Sequence, residues 1–104
     1  PGAAILTMKT GVAIIGAGPA GLLLGHLLRA EGIDCVVVER ASPEYVLGRI
    51  RAGVLEQTTT DLLRRLGLHD RLDAEGLVEA GFCLADGERL IRIDTLALTG
   101  KTVT

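Results

Sequence analysis

Three apolar stretches with different periodicities open the chain. Lys9 to Ile15 is short, rich in Val and Ile and apolar on both faces, which predicts a central parallel strand. From about Pro19 to Glu31 the chain is apolar nearly all round, which predicts a largely buried helix that Gly32 ends. Ile33 to Glu39 is rich in valine and predicts a second strand. This order predicts a βαβ unit.

After residue 40 the pattern of apolar and polar residues changes twice, first to helical spacing and then to alternation. Ala41 to Gly53 is a polar connection, and Val54 to Leu66 carries leucines at helical spacing before Gly67, which predicts a helix. A short helical turn is predicted over Asp70 to Ala74. The period then becomes two, which predicts a hairpin whose strands, Ala80 to Ala85 and Arg89 to Ile93, flank the turn dipeptide Asp86-Gly87. Residues 95–104 are predicted to form a loop that enters another strand.

A glycine pattern lies at the junction of the first strand and the first helix. Gly16, Gly18 and Gly21 fit G-x-G-x-x-G, in which the glycines permit a tight turn, close approach of a pyrophosphate, and packing of helix on strand. Pro19 suits the first helical turn, and the helix N-terminus would point at the phosphates. Glu39 ends the second strand 18 positions after Gly21, where a carboxylate can accept hydrogen bonds from ribose hydroxyls. The segment is therefore interpreted as a dinucleotide site.

Together these elements predict an α/β fold. It comprises a Rossmann-like βαβ unit, a helical segment and a β-hairpin. A complete doubly wound fold needs more strands than 104 residues supply, so the chain is interpreted as an incomplete fragment of a larger fold.

The composition of the chain argues against several classes of function. The chain is 48% hydrophobic with a net charge of −2 and 2% aromatic residues, which argues against nucleic-acid binding. Cys35 and Cys83 lack metal-ligand spacing, so two reduced thiols and no metal site are predicted. Glycines, Pro19 and His26 interrupt the long apolar stretch, which makes it a poor membrane span. We expect a cytoplasmic protein.

Two arginines stand out in the polar connection. Arg49 and Arg51 are two positions apart and would project from the same side of an extended loop. Paired guanidinium groups bind anionic oxygens, and Gly53 leaves neighbouring N–H groups open to a ligand. A solvated basic loop is the alternative that the residues alone leave open.

The segment Tyr45-Val46-Leu47-Gly48-Arg49-Ile50-Arg51-Ala52-Gly53-Val54-Leu55-Glu56-Gln57, read with the glycine pattern, resembles the p-hydroxybenzoate hydroxylase (4-hydroxybenzoate 3-monooxygenase) family. The resemblance runs from Met8 to Thr104. It implies that residues 8–78 are the N-terminal part of an FAD-binding domain and that the hairpin, 79–94, joins the substrate-domain sheet. Residues 95–104 would loop back toward the FAD domain. Met8 suits a natural start, so residues 1–7 are interpreted as an upstream extension or a cloning remnant.

The resemblance also implies roles for individual residues. The FAD pyrophosphate would lie on Gly16, Gly18, Ala20 and Gly21, and the adenosine ribose on Glu39. The remaining cofactor-binding residues would be Arg40, Arg49, Ile50, Arg51, Ala52, Gly53 and Val54. The region associated with the nicotinamide cofactor matches Arg40, Tyr45 and Arg49. Ala41 stands where the family has a polar residue, so the choice between NADPH and NADH stays open.

The implied activity belongs to the full-length protein. NAD(P)H would reduce FAD, oxygen would form a flavin C4a-hydroperoxide, and 4-hydroxybenzoate would be hydroxylated at its 3 position by a homodimer, in aromatic catabolism. Residues that hold the aromatic acid are expected beyond Thr104. Glu79 replaces the histidine at the outer end of the family's proton relay, which puts that role in doubt. The alternatives are another flavin monooxygenase of phenolic acids, a catalytically inactive nucleotide-binding module, and a non-enzymatic interaction protein.

Overall fold

The computed structural model describes residues 7–104, and the chain divides into two compact units. The first unit ends at Ile50 and the second covers Arg51–Thr104. All but the last residue of the predicted upstream extension, 1–7, lies outside the described residues. The predicted fold class is confirmed, since the chain has a βαβ unit followed by helices and a hairpin.

The first unit is built on two parallel strands joined by a helix. Strand β1 covers Val12–Ile15, helix α1 covers Pro19–Ala30, and strand β2 covers Cys35–Val38. The strands pair in register from Val12↔Cys35 to Ile15↔Val38. Both are shorter than the sequence predicts, because the parallel pairing covers only these four positions on each strand. Glu39 consequently lies directly after β2.

Helix α1 begins and ends as the sequence predicts, but it is less buried. Pro19 occupies the first turn, and Gly32 follows the helix with φ 70°. No residue of α1 is buried, and Leu22 and Leu24 are 46% and 44% exposed. The expectation of a largely buried helix is therefore wrong for the described residues. The sheet beneath the helix has two strands and covers one side of it, and Ile14 is the hydrophobic residue that this contact buries.

The polar connection contains a helix that the sequence analysis assigns to a loop. Helix α2 covers Pro43–Gly48. The Ser42 side chain caps it by accepting a hydrogen bond from the Tyr45 N–H at 3.2 Å, with Pro43 and Glu44 in the first turn. Ser, Pro and Glu in this order are a start signal for a helix, so local chemistry explains the correction.

The second unit begins with two helices, α3 over Gln57–Arg65 and α4 over Asp70–Glu75. Helix α3 begins three residues later than predicted. Leu55 is held outside it by two backbone hydrogen bonds with Thr104, at 2.7 and 2.9 Å. Gly67 follows α3 with φ 70°, as the sequence predicts. Thr60 is only 2% exposed and, with Gly81, is one of the two described residues of this unit that are buried.

The predicted hairpin is present, with its turn one residue further along. Strand β3 covers Phe82–Asp86 and strand β4 covers Arg89–Ile93. Asp86 pairs with Arg89, so the two central turn residues are Gly87 and Glu88 rather than Asp86-Gly87. Gly87 has φ 60° and Glu88 has no positive φ, as in a turn of type II′ that needs glycine at its first central position.

The C-terminal stretch forms a short helix where a loop is predicted. Helix α5 covers Thr95–Thr99, capped by the Asp94 carboxylate on the Ala97 N–H at 2.8 Å. The chain then forms isolated antiparallel bridges at Val103, which pairs with Glu56 and with Glu79. The predicted entry into strand pairing is thus limited to single bridges. Among the described helices, none combines the length and apolar character that crossing a bilayer requires.

Candidate functional site

The glycine turn after β1 is held by the end of β2. The Gly16 N–H donates to the Val38 carbonyl at 2.7 Å, which extends the parallel pairing beyond β1. Gly16 has φ 109°, a backbone conformation that residues with side chains rarely adopt. Glycine is therefore required here by the turn itself.

The other two glycines of the pattern differ in what surrounds them. A Cβ on Gly18 would meet no described atom within 4 Å, so open space lies in front of this residue. A Cβ on Gly21 would collide with the Gly16 carbonyl oxygen and lie 3.3 Å from Ile14 Cγ2. Gly18 thus leaves room for a group bound outside the turn, whereas Gly21 lets α1 pack directly on the turn. This is the division of roles that a pyrophosphate-binding turn needs.

The N-terminus of α1 adds donors to this open space. Gly18 is the N-cap, no side chain caps the helix, and its first turn has no acidic residue. An α-helix leaves its first N–H groups without intrahelical partners, and its dipole favours anions at this end. Pro19 has no N–H, so Ala20 and Gly21 provide the first donors. The turn and helix together are suited to bind phosphate oxygens.

Glu39 connects the glycine turn to the loop after β2. Its Oε2 accepts a hydrogen bond from the Ala17 N–H at 2.8 Å, and its Oε1 accepts one from the Ala41 N–H at 2.8 Å. The Ala41 N–H and then the Ala17 N–H lower the pKa of this carboxyl below its ordinary value of 4.5. The side chain is exposed, so at neutral pH it is an ionised acceptor with capacity left on each oxygen for hydroxyl groups.

Gly16 and Glu39 border one pocket of the first unit, whereas Gly18, Ala20 and Gly21 are not among the residues that line it. Its volume is about 390 Å³, within the range of small-molecule sites. The Arg49 guanidinium lies over the Tyr45 ring, 6.0 Å from its centroid, as a cation–π pair. The pocket is lined by Ile15, Gly16, Val38, Glu39, Arg40, Ala41, Tyr45 and Arg49. The fold therefore brings together the predicted acid, the first glycine and the three residues of the predicted nicotinamide region.

The remaining predicted residues lie elsewhere along the chain. Ile50 ends the first unit and is 97% exposed. Arg51, Ala52, Gly53 and Val54 belong to the second unit, where they are exposed and form no helix or strand. Arg49 has extended backbone angles, φ −72° and ψ 122°. That the whole arginine segment lines one cofactor stays a prediction.

Two donors in this site are missed by the sequence analysis. Ala17 and Ala41 act through backbone N–H groups, which no side-chain pattern reveals, although Ala17 is the first residue after Gly16. Glu79 has an exposed side chain, and its backbone exchanges hydrogen bonds with Val103 at 2.8 and 3.1 Å.

The sequence of the chain is similar to those of known FAD-binding domains and hydroxylases. The model of the FAD binding domain family matches residues 9–104. The chain belongs to this family. It is 52% identical over 99 residues to the p-hydroxybenzoate hydroxylase of Acinetobacter baylyi (strain ATCC 33305 / BD413 / ADP1), covering 94% of this chain and 24% of that protein. The predicted resemblance is thereby confirmed.

Two further relatives carry different names. The chain is 43% identical over 67 residues to 3-amino-4-hydroxybenzoate 2-monooxygenase of Streptomyces cremeus, covering 64% of this chain and 16% of that protein. It is 31% identical over 83 residues to the probable NADH-specific resorcinol 4-hydroxylase of Rhodococcus jostii (strain RHA1). This alignment covers 80% of this chain and 15% of that protein. The chain spans a quarter or less of the length of these three relatives.

Proposed function

We propose that this chain binds the ADP half of FAD at the glycine turn, as part of a flavin-dependent aromatic hydroxylase. The observation that carries the proposal is the open space at Gly18 in front of the uncapped N-terminus of α1, together with the Glu39 carboxylate on the N–H of the preceding residue, Ala17. Family membership supports FAD as the dinucleotide. The pyrophosphate would be bound by Gly16, Gly18, Ala20 and Gly21, and the adenosine ribose by Glu39.

The arginines extend this proposal beyond the ADP half. Arg40, Tyr45 and Arg49 line the same pocket as Glu39 and would form the region that the nicotinamide cofactor approaches. Ile50, Arg51, Ala52, Gly53 and Val54 would follow the flavin and pyrophosphate. Two guanidinium groups beside one pocket are suited to phosphate oxygens, which both NADPH and NADH carry. Comparing initial rates with each nicotinamide cofactor decides between them.

For the full-length protein we propose the 3-hydroxylation of 4-hydroxybenzoate with NAD(P)H and O2. The support is the 52% identity to a p-hydroxybenzoate hydroxylase over nearly the whole chain. Bound FAD would supply hydride acceptance and oxygen activation, while protein residues position it and exclude water. A homodimer in the cytoplasm remains part of the proposal. A different phenolic substrate is the second candidate, because relatives named for other phenols share this same region.

Filling the open space at Gly18 tests cofactor binding. Gly18 has φ −75°, which any residue adopts, and a Cβ there meets nothing within 4 Å, so Gly18→Val should fold normally. Its side chain would occupy the pyrophosphate position, and we expect FAD binding at least about tenfold weaker. Gly48→Val is the matched control, since its Cβ is equally free. Equal FAD affinity in both variants, measured by flavin fluorescence titration, would refute the assignment.

Substrate class is tested in the full-length protein. Oxidation of NAD(P)H should accelerate when 4-hydroxybenzoate is added, and 3,4-dihydroxybenzoate should accumulate in proportion to the cofactor consumed. Resorcinol and 3-amino-4-hydroxybenzoate serve as competing substrates. Product formation from one of these and none from 4-hydroxybenzoate would favour the second candidate.

A further inference from the structure

Two consecutive amides of the glycine turn are bound by two consecutive residues at the end of β2. The Gly16 N–H donates to the Val38 carbonyl at 2.7 Å, and the Ala17 N–H donates to Glu39 Oε2 at 2.8 Å. The first bond continues the backbone pairing of β1 with β2. The second bond comes from the next residue, whose N–H lies outside this backbone ladder because donors to β2 recur at every second residue, and its acceptor is a side-chain carboxylate. Glu39 thus holds the turn immediately after the last bond of the parallel pairing.

The same carboxylate also holds the loop on its other side. Glu39 Oε1 accepts the Ala41 N–H at 2.8 Å, two residues along the chain. Ala17 and Glu39 are separated by 22 residues, so the carboxylate links segments that are distant in sequence. Both donors are backbone groups, and hydrogen bonds to an ionised acceptor are the stronger kind. One exposed side chain therefore joins the glycine turn to the loop that carries Arg40 and Ser42.

A turn with three glycines in six positions needs such a constraint. Glycine has more backbone freedom to lose than any other residue, so an unconstrained turn would sample many conformations before binding. A ligand that must order its own site loses affinity by the cost of that ordering. A turn already bound at Gly16 and Ala17 presents its N–H groups in place.

We propose that Glu39 is a positioning residue that holds the glycine turn in its phosphate-binding conformation before any ligand arrives. This role goes beyond a contact with ribose hydroxyls, and it rests on the proposed function for the identity of the ligand. A carboxylate that only binds ribose has no effect on the ligand-free turn. A carboxylate that holds the turn changes the conformation of the ligand-free turn, and it changes the binding of phosphate ligands whether or not they contain adenosine.

Amide hydrogen exchange of the FAD-free protein tests the first consequence. In Glu39→Gln, the side-chain amide has one acceptor oxygen and cannot serve both N–H groups in the same way. We expect exchange at Ala17 or Ala41 to accelerate by about tenfold or more, the effect of losing a charge-assisted hydrogen bond. Val36 in β2, whose N–H faces β1 in the parallel register, should keep its rate, which separates this effect from a general loss of stability.

Two further variants complete this test. Glu39→Asp keeps the charge but shortens the side chain, so it should also release one of the two amides. This variant replaces Glu39→Gln in the exchange experiment if Glu39→Gln does not fold. Glu31→Gln, which alters an exposed carboxylate of the same unit, is the matched control and should leave both amides unchanged. Unchanged exchange at Ala17 and Ala41 in both Glu39 variants would overturn the proposal.

The binding of inorganic pyrophosphate is the second measurement. Pyrophosphate has no ribose, so a ribose contact of Glu39 cannot influence its binding. Removing the negative charge of Glu39 should by itself strengthen the binding of an anion nearby. If Glu39 holds the turn, Glu39→Gln should instead bind pyrophosphate more weakly, by about threefold or more. Stronger binding would overturn the positioning role. A wild-type protein that binds neither pyrophosphate nor FAD would refute the proposed function, while the amide exchange would still decide whether Glu39 holds the turn.

Discussion

The third glycine of the pattern offers the sharpest test of how α1 packs on the turn. A Cβ added at Gly21 would overlap the Gly16 carbonyl oxygen, with the carbonyl carbon at 3.2 Å and Ile14 Cγ2 at 3.3 Å. The obstructing atom belongs to the backbone, so no side-chain rotation relieves the overlap. Gly21→Ala must therefore move the start of α1 away from the turn.

The magnitude follows from two opposing effects. Overpacking against atoms that cannot move away costs about 3 kcal/mol, the upper end of the usual range. Alanine in place of glycine within a helix stabilises it by about 1 kcal/mol. We therefore expect Gly21→Ala to lower the free energy of unfolding by about 2 kcal/mol.

Gly25→Ala is the matched control, one turn later on the same helix. Its Cβ would lie 3.5 Å from Val37 Cγ2 and 3.8 Å from Ile14 Cδ1, ordinary contact distances. With no overlap, this variant should gain about 0.5–1 kcal/mol. The assay is urea unfolding followed by circular dichroism, with the slope of the free energy against urea checked for constancy. If Gly21→Ala proves as stable as Gly25→Ala, the close packing of α1 on the turn is refuted.

Three other predictions concern charge and turn geometry. The lowered pKa of Glu39 means that its carboxylate stabilises the fold fully at pH values well above 4.5 and loses this effect as pH falls through the lowered value. The difference in urea midpoint between the wild-type protein and Glu39→Gln should therefore vanish in acid, and a constant difference would contradict this reasoning. Gly87→Ala should lower the free energy of unfolding by about 1 kcal/mol because φ is 60°, whereas Glu88→Ala should change it little in the same urea assay. Arg51→Ala should weaken FAD binding severalfold in a fluorescence titration while Arg65→Ala does not, and equal affinities would remove Arg51 from the site.

In the second unit, the start of α3 is set by backbone pairing with a distant part of the chain. Val54 to Leu66 carries a helical pattern, yet α3 begins at Gln57. The backbone of Leu55 is bound to Thr104, and Glu56 pairs with Val103. These partners lie more than forty positions away along the chain, so no periodicity near Val54 indicates them. Backbone groups satisfied by a distant segment are not available to a helix.

The sequence by itself determined the glycine turn, the helix that follows it and the acid at the end of β2. These features depend on local chemistry, namely the backbone freedom of glycine, the fit of Pro19 in a first helical turn, and apolar periodicity. The Ser42 cap of α2 is a local signal too, although the polar composition of residues 41–53 indicates a loop.

Only the tertiary structure decided how that acid is used. Glu39 lies 22 residues from Ala17, and the parallel pairing of β1 with β2 brings the two together. The pairing thereby makes the Ala17 N–H the donor that the Glu39 carboxylate accepts. A side-chain pattern identifies the residue that carries the charge. The fold alone determines which backbone groups that charge binds, because every residue except proline offers the same N–H.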